Sequence, residues 1–243
     1  MSVLLVIPAR GGSKGIPRKN LTDVHGKPLI FFAIKNALEA KSVARVIVST
    51  EDEEIASVAQ KYGAEVPFMR PSELAVDEIS LIPVFKHASN VMNEFGFKHD
   101  IVASLQPTSP LLLASSIDIA INLMKESNCD SVGSISLIEH SHPYAAQKLQ
   151  EDGQVAPLFP EAEHYLQRQD RPDFYTYTGG LYLRKTGLLE NWSGRDWCMG
   201  DSRRGVIVDS YSAMNIDSAL DLEVLKAILN KNDFEKYRED TNI

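Results

Sequence analysis

The sequence predicts an α/β fold, with a mostly parallel central sheet and helices on both faces. Two observations predict it. Short apolar runs alternate with helical patterns along most of the chain, the arrangement that βαβ units produce. The 243 residues are 44% hydrophobic and 24% charged, an ordinary globular composition that can bury one large core without disulfide staples. The chain is read as one domain over residues 1–243, and ligands of such folds gather at the carboxyl ends of strands.

The elements follow in order. Val3–Ile7 is a buried strand. Pro28–Ala40 is a helix, because Leu29, Phe32, Ala33 and Leu38 recur near helical spacing and Pro28 suits a first turn. Arg45–Ser49 is a strand, Glu53–Tyr62 a helix, Glu65–Phe68 a short strand and Leu81–Glu94 a helix. Ile101–Leu105, Ser116–Lys125 and Ser131–Ser136 continue as strand, helix and strand. The pattern breaks from His140 to Tyr177, which is polar, holds Pro143, Pro157, Pro160 and Pro172, and lacks a helical period. Its Leu149, Val155, Leu158, Phe159 and Leu166, with Asp152-Gly153 among them, predict an inserted hairpin lobe at 140–177. Regular structure resumes at Gly180–Leu183 and Gly205–Val208. The last helix runs from Ser218 to Asn230, with Ser218 and Asp221 spaced as a capping box. Its expected apolar face is Leu220, Val224, Leu225, Ile228 and Leu229, and the polar tail after Lys231 is expected to fray.

Charge and cysteine content exclude several function classes. Lys+Arg 25 against Asp+Glu 33 gives a net charge of −8, which disfavours a nucleic-acid coat because phosphate backbones are bound through excess cations. Cys129 and Cys198 form no CxxC pair, so a thiolate zinc site is not expected. His140 and His142 lack carboxylate or cysteine partners at metal-site spacing. MSVLLVIPAR has no basic flank before its apolar run, and no run approaches the roughly 18 residues of a membrane span. A cytoplasmic protein with no membrane partner is expected.

The most informative stretch is Ile7-Pro-Ala-Arg-Gly-Gly-Ser-Lys-Gly-Ile-Pro-Arg-Lys-Asn20. It follows the first strand, and Gly11, Gly12 and Gly15 let successive N–H groups turn towards an anion. Between residues 10 and 27, five cations (Arg10, Lys14, Arg18, Lys19, Lys27) face one acid, Asp23. The spacing fits neither the P-loop, whose Gly-Lys-Ser/Thr would fall at Ile16 or Pro17, nor GxGxxG. A solvated basic loop is the competing reading.

With HGKPLI, RPSELAVDEIS (70–80), LQPTSPL (105–111), RQDRPDFY (168–175), TGGLYL (178–183) and NIDSALDLE (215–223), this loop resembles the cytidylyltransferases that activate acidic nine-carbon sugars. These are the CMP-N-acylneuraminate synthetases and their relatives for legionaminic and pseudaminic acids. The six segments occur in order over nearly the whole chain. The resemblance implies a Rossmann-like nucleotidyltransferase fold whose inserted lobe makes a homodimer. It implies a reaction in which CTP and a 2-keto sugar acid give the CMP-sugar and pyrophosphate. CMP-Kdo synthetase and a metal-dependent glycosyltransferase are the alternatives, the latter because Asn215-Ile-Asp217 imitates Asp-x-Asp.

The resemblance also implies roles. Arg10 and Lys19 are the candidates for stabilising the triphosphate as pyrophosphate leaves, with Ser13, Lys14 and Asn20 as further donors. Arg70 would hold the cytosine base, with Asp77 and Ser80 near it; an ordinary ion pair of Arg70 with Glu73 or Asp77 is the competing reading. Gln106, Thr108 and Ser109 would take the sugar, with Leu112 where relatives often carry Arg. Arg168 and Gln169 would reach the sugar of the same or the opposite subunit, and Thr176 stands where some relatives have Arg. Asp217 is the candidate ligand for Mg²⁺ or another divalent cation. Asn215 stands beside it where many relatives have a second aspartate; Asp209 is a nearby carboxylate that would compensate, with a structural role as its competing reading.

Overall fold

The computed structural model describes residues 1–13, 15–194 and 196–230, so the expectations for Lys14 and for the tail after Lys231 lie outside the described residues. The chain begins with β1 (Val3–Pro8), a small β2 (Asp23–Val24) and β3 (Lys27–Pro28) ribbon, α1 (Leu29–Glu39), β4 (Arg45–Ser49) and α2 (Glu53–Lys61). It continues through α3 (Leu81–Glu94), β5 (Ile101–Leu105), α4 (Ala114–Ser127) and β6 (Ser131–Leu137). A hairpin of β7 (Gln147–Leu149) and β8 (Val155–Pro157) precedes β9 (Tyr175–Lys185), α5 (Thr186–Glu190), β10 (Arg203–Ile207) and α6 (Ala219–Leu229).

The central sheet has six strands in the order β10-β6-β9-β5-β1-β4. β1 pairs parallel with β4 and β5, and β10 parallel with β6, while β9 runs antiparallel between β5 and β6. Every residue of β1 and β5 is buried, as a continuous apolar run requires when both sheet faces are covered. Alternation then sorts the side chains. Val3, Leu5 and Ile7 pack with Ile30 and Ile34 of α1, Ile55 of α2 and Ile117 and Ile121 of α4. Leu4 and Val6 pack on the other side with Phe85 and Met92 of α3 and Leu189 of α5. Helices therefore cover both faces, as expected.

Three local expectations are corrected. Glu65–Phe68 is not a strand; only Glu65 bridges to Ile47, because the chain turns away at once to deliver Arg70. The strand expected at Gly180–Leu183 is the eleven-residue β9, which takes Tyr175–Tyr177 from the expected lobe. Its Thr and Tyr residues hide the strand in a polar segment, yet they pair with Ile135–Leu137 of β6. In α6, Leu225, Ile228 and Leu229 pack as expected and Leu222 joins them, while Leu220 and Val224 are exposed, so the packed face is shifted at one edge. Ser218 and Asp221 do form the capping box. Within residues 140–174, Gly153 at φ 85° closes the β7–β8 hairpin, whose Leu149 and Val155 remain exposed.

Candidate active site

The parallel strands β1, β4 and β5 end on one edge of the sheet, and the loops that follow them wall a cleft of about 460 Å³. The first wall is the glycine-rich loop. The Ala9 N–H donates to the Ser49 carbonyl (3.0 Å), which carries the loop past β4 before it turns away. Buried Asn20 donates to the Arg10 carbonyl (2.9 Å) and pins the loop back on itself. Lys19 Nζ donates to the Ile216 carbonyl (2.9 Å) and meets Asp217 Oδ1 at 3.2 Å. Gly15 passes so close to Asp217 that a Cβ there would lie 2.6 Å from the Asp217 carbonyl oxygen. Ile16 seals this crossing against Ile216, Leu222 and Leu225. A hydrophobic anchor on α6 thus holds a polar loop in place.

The second wall carries two cations with separate counter-charges. Arg10 Nη1 meets Asp77 Oδ1 at 2.6 Å, with both side chains about one-third exposed. The Arg70 side chain is 2% exposed and its Nη2 meets Glu51 Oε2 at 2.8 Å. The partner of Arg70 is therefore Glu51, neither Glu73 nor Asp77. Burial pushes the Arg70 pKa down, Glu51 pushes it back up, and Arg10 adds to the downward push. Arg18 lies outside the cleft, forking onto Asp52 and Glu54 at the start of α2. There Asp52 also caps the helix by accepting from the Ile55 N–H (3.0 Å), a contact worth about 1 kcal/mol.

The third wall is the turn after β5. Gln106 and Thr108 line the cleft with Pro107, and the Thr108 carbonyl accepts the Ile216 N–H (2.8 Å), tying this turn to the approach to α6. Ser109 differs from the expectation. It is 1% exposed and donates to Asn215 Oδ1 (2.8 Å), while Asn215 Nδ2 donates to the Thr178 carbonyl. Asn215 is thereby turned inward as a strut between the β5 turn and β9, with its amide oxygen already engaged. It is not among the residues that line the cleft, whereas Asp217 is. Asp209 accepts from Ser212 Oγ (2.8 Å) and the Tyr211 N–H (2.8 Å), organising its own turn.

The cleft thus gathers Arg10, Ser13, Lys19, Asn20, Arg70, Gln106, Thr108 and Asp217. Asp77 reaches it through Arg10, and Ser80 sits at the N-cap of α3 beside the cleft-lining Ile79 and Leu81. Arg168 and Gln169 are not brought in: they line a separate depression of about 380 Å³ with His142 and Phe174. A larger hollow of about 660 Å³ lies at the amino ends of the strands near His99 and Lys185, and holds none of the predicted residues. Glu51 was missed by the sequence reading; its only signal is an acid two residues past the carboxyl end of a parallel strand. Among the described residues no three His, Cys, Asp or Glu side chains cluster as a metal-binding group. Asp217, 76% exposed at the cleft mouth, nonetheless suits a hard cation that takes one carboxylate and completes its shell with substrate oxygens and water.

A mostly parallel sheet with a cationic, glycine-rich loop at its carboxyl edge defines a nucleotide-binding α/β protein. A family model described as cytidylyltransferase matches residues 4–187, and the chain belongs to that family. The chain is 33% identical to the pseudaminic acid cytidylyltransferase of Campylobacter jejuni over 233 residues, 96% of this chain and 98% of that one. It is 31% identical to the CMP-N,N'-diacetyllegionaminic acid synthase of Legionella pneumophila, with 96% and 98% covered. A solved CMP:2-keto-3-deoxy-manno-octonic acid synthetase in complex with CTP shares the fold, at a TM-score of 0.70, 20% identity and coverage of 94% and 98%.

Proposed function

We propose that this chain couples CTP to a sialic-acid-like nine-carbon 2-keto sugar acid, giving the CMP-sugar and pyrophosphate. The observation that carries the reading is the convergence of Arg10, Lys19 and Arg70 on one cleft whose opposite wall offers the Gln106 amide and the Thr108 hydroxyl. The two similar relatives described above are named for pseudaminic and legionaminic acids, which favours that sugar class over Kdo.

In this reading Arg10 and Lys19 hold the β- and γ-phosphates and balance the charge that leaves as pyrophosphate. The anomeric hydroxyl of the sugar attacks the α-phosphorus, so one P–O bond forms and the bond to the leaving pyrophosphate breaks. Such transfer depends mainly on positioning and electrostatic stabilisation. Arg70 presents donors to the cytosine, and Gln106 and Thr108 hold the sugar hydroxyls. Asp217 would hold a divalent cation, which when bound supplies further neutralisation of the phosphates. Arg10 leaves Asp77 for the triphosphate, and Lys19 exchanges Asp217 for it. Asn215-Ile-Asp217 does not favour a glycosyltransferase, because the Asn215 amide is committed to Ser109 and Thr178.

A homodimer completes the proposal. Leu149, Val155 and Leu166 of the hairpin region are 76%, 62% and 91% exposed, and a second copy would cover them on both sides of a twofold axis. Arg168 and Gln169, absent from their own cleft, would then be available to the partner's sugar. A cytoplasmic enzyme is in keeping with this chemistry, and among the described residues no helix is long and apolar enough to cross a membrane. The test is pyrophosphate release with CTP across sialic, legionaminic, pseudaminic and Kdo acids. Release with at least one nine-carbon acid and not with Kdo is expected; release with Kdo alone overturns the sugar class.

A further inference from the structure

We propose that Glu51 is a positioning residue for nucleotide binding, gripping the buried Arg70 guanidinium and the glycine-rich loop with the two oxygens of one carboxylate. This rests on the cytidylyltransferase reading above.

The acidic run Glu51-Asp52-Glu53-Glu54 opens α2, and an acidic first turn is ordinary helix chemistry. Asp52 caps the helix, and Asp52 and Glu54 share Arg18. Glu51 does something else. Its Oε1 accepts the Gly11 N–H at 2.7 Å, and its Oε2 accepts Arg70 Nη2 at 2.8 Å. Those partners lie 40 residues back and 19 residues ahead in the chain, on two walls of the cleft. The backbone around Glu51 holds the same segments, because the Ala9 N–H donates to the Ser49 carbonyl (3.0 Å) and the Arg70 N–H to the Thr50 carbonyl (2.8 Å). Only the side chain of Glu51 reaches the parts that would meet a nucleotide.

Glu51 is not among the residues lining the cleft, whereas Arg70 is. It therefore acts through its partners and not on a ligand. One guanidinium nitrogen is committed to Glu51, and Arg70 Nε is buried with no protein partner, so the fork is oriented with donor capacity to spare. Burial and the nearby Arg10 both disfavour a second positive charge at this place. Without the Glu51 carboxylate, Arg70 would be a buried cation facing another cation, and its resting position would shift to reach water or Asp77. The Gly11 N–H would lose its acceptor in the same step, loosening the turn that carries Arg10.

The experiment measures CTP affinity by titration calorimetry without sugar, together with steady-state KM values, for wild type, Glu51→Gln and Glu51→Asp. Glu51→Gln keeps the length and an acceptor for Gly11 but removes the charge beside Arg70. Glu51→Asp keeps the charge and loses the reach. We expect the CTP Kd to rise at least tenfold in Glu51→Gln and by a smaller factor in Glu51→Asp, while the sugar KM moves less than twofold in both. In an Arg70→Gln background, Glu51→Gln should add less than twofold, since the charge it balances is gone. A merely structural role predicts otherwise: CTP and sugar constants would worsen together, or the two changes would multiply. Either result, or a Glu51→Gln protein that binds CTP within twofold of wild type, overturns the inference. Should Glu51→Gln not fold, Glu51→Asp is decided by the same split between CTP and sugar. A wild type that binds CTP alongside unaltered Glu51 variants overturns this inference alone, whereas a wild type that binds no CTP overturns the functional reading with it.

Discussion

At the scale of single residues, the candidate site is a set of cations each held by a protein carboxylate. Arg10 rests on Asp77, Lys19 on Asp217 and Arg70 on Glu51. If Arg10 and Lys19 serve the departing pyrophosphate, Arg10→Ala and Lys19→Ala should each depress kcat at least tenfold, or about 1.4 kcal/mol of transition-state stabilisation. Stopped-time pyrophosphate release on folded variants checks this, and unchanged turnover in both removes the assignment. Asn215 shows how a residue's surroundings revise its reading. Its sequence position beside Asp217 invites a metal ligand, and Asn215→Asp would then be expected to lower the Mg²⁺ requirement. In the structure its Nδ2 donates to the Thr178 carbonyl, so Asn215→Asp would set a carboxylate oxygen against a carbonyl oxygen. The expected outcome is a loss of about 1–3 kcal/mol in denaturant unfolding, with no gain in metal affinity. A lowered Mg²⁺ midpoint at unchanged stability would restore the ligand role. Glu51 is the converse case, an unremarkable acid in sequence that meets two walls of the cleft.

At the scale of elements, the cleft depends on structure distant in sequence. The β5 turn sits against Gly179-Gly180 of β9, where Gly179 adopts φ 80° and the register with β6 shifts. A Cβ on Gly180 would lie 2.6 Å from Ser109 Oγ and 2.8 Å from Ser109 Cβ, and Gly180 also accepts the Gln106 N–H (2.9 Å). Gly180→Ala should therefore push the turn outward, costing about 1–3 kcal/mol and raising the sugar KM more than the CTP KM. Equal KM changes would show that the turn does not face the sugar. The α6 helix similarly acts at a distance, because Leu225 is fully buried in the cluster that contains Ile16 and Ile216. Leu225→Ala should cost about 2–5 kcal/mol in chemical denaturation. The helix was legible from its capping box, and most of its packed face from periodicity, through Leu225, Ile228 and Leu229. Leu220 and Val224 have the composition of core residues, and only the position of the glycine-rich loop decides that Leu222 packs inward and that they do not.

At the scale of the whole molecule, stability should fall in mild acid. His99 is 8% exposed between α3 and β5; its Nδ1–H donates to the Phe97 carbonyl (3.1 Å), which leaves Nε2 to accept from Ser89 Oγ (2.8 Å). Burial pushes its pKa below the ordinary histidine value, against the opposing pull of the Phe97 carbonyl, and burial lowers His87 as well. Between the folded pKa and about 6.5 the unfolded chain binds more protons, so this contribution is complete above about pH 6.5 and is lost as pH falls. Thermal midpoints recorded from pH 7.5 to 5.5 should decline, and His99→Gln should flatten part of the slope. Sedimentation of the intact chain, and of one with the β7–β8 hairpin replaced by a Gly/Ser turn, tests the dimer; a monomeric intact chain at micromolar concentration removes it. By itself the sequence determined the α/β class, the alternation of its strands and helices, and the cationic loop after β1, because periodicity, capping and local charge are properties of neighbouring residues. The tertiary structure alone decided that β9 enters the sheet antiparallel, that Asn215 faces inward, that Arg168 and Gln169 stay outside their own cleft, and that Glu51 joins Gly11 to Arg70. Each of these joins segments far apart in the chain, and such pairings are chosen by burial and hydrogen-bond satisfaction over the whole fold, which no local pattern encodes.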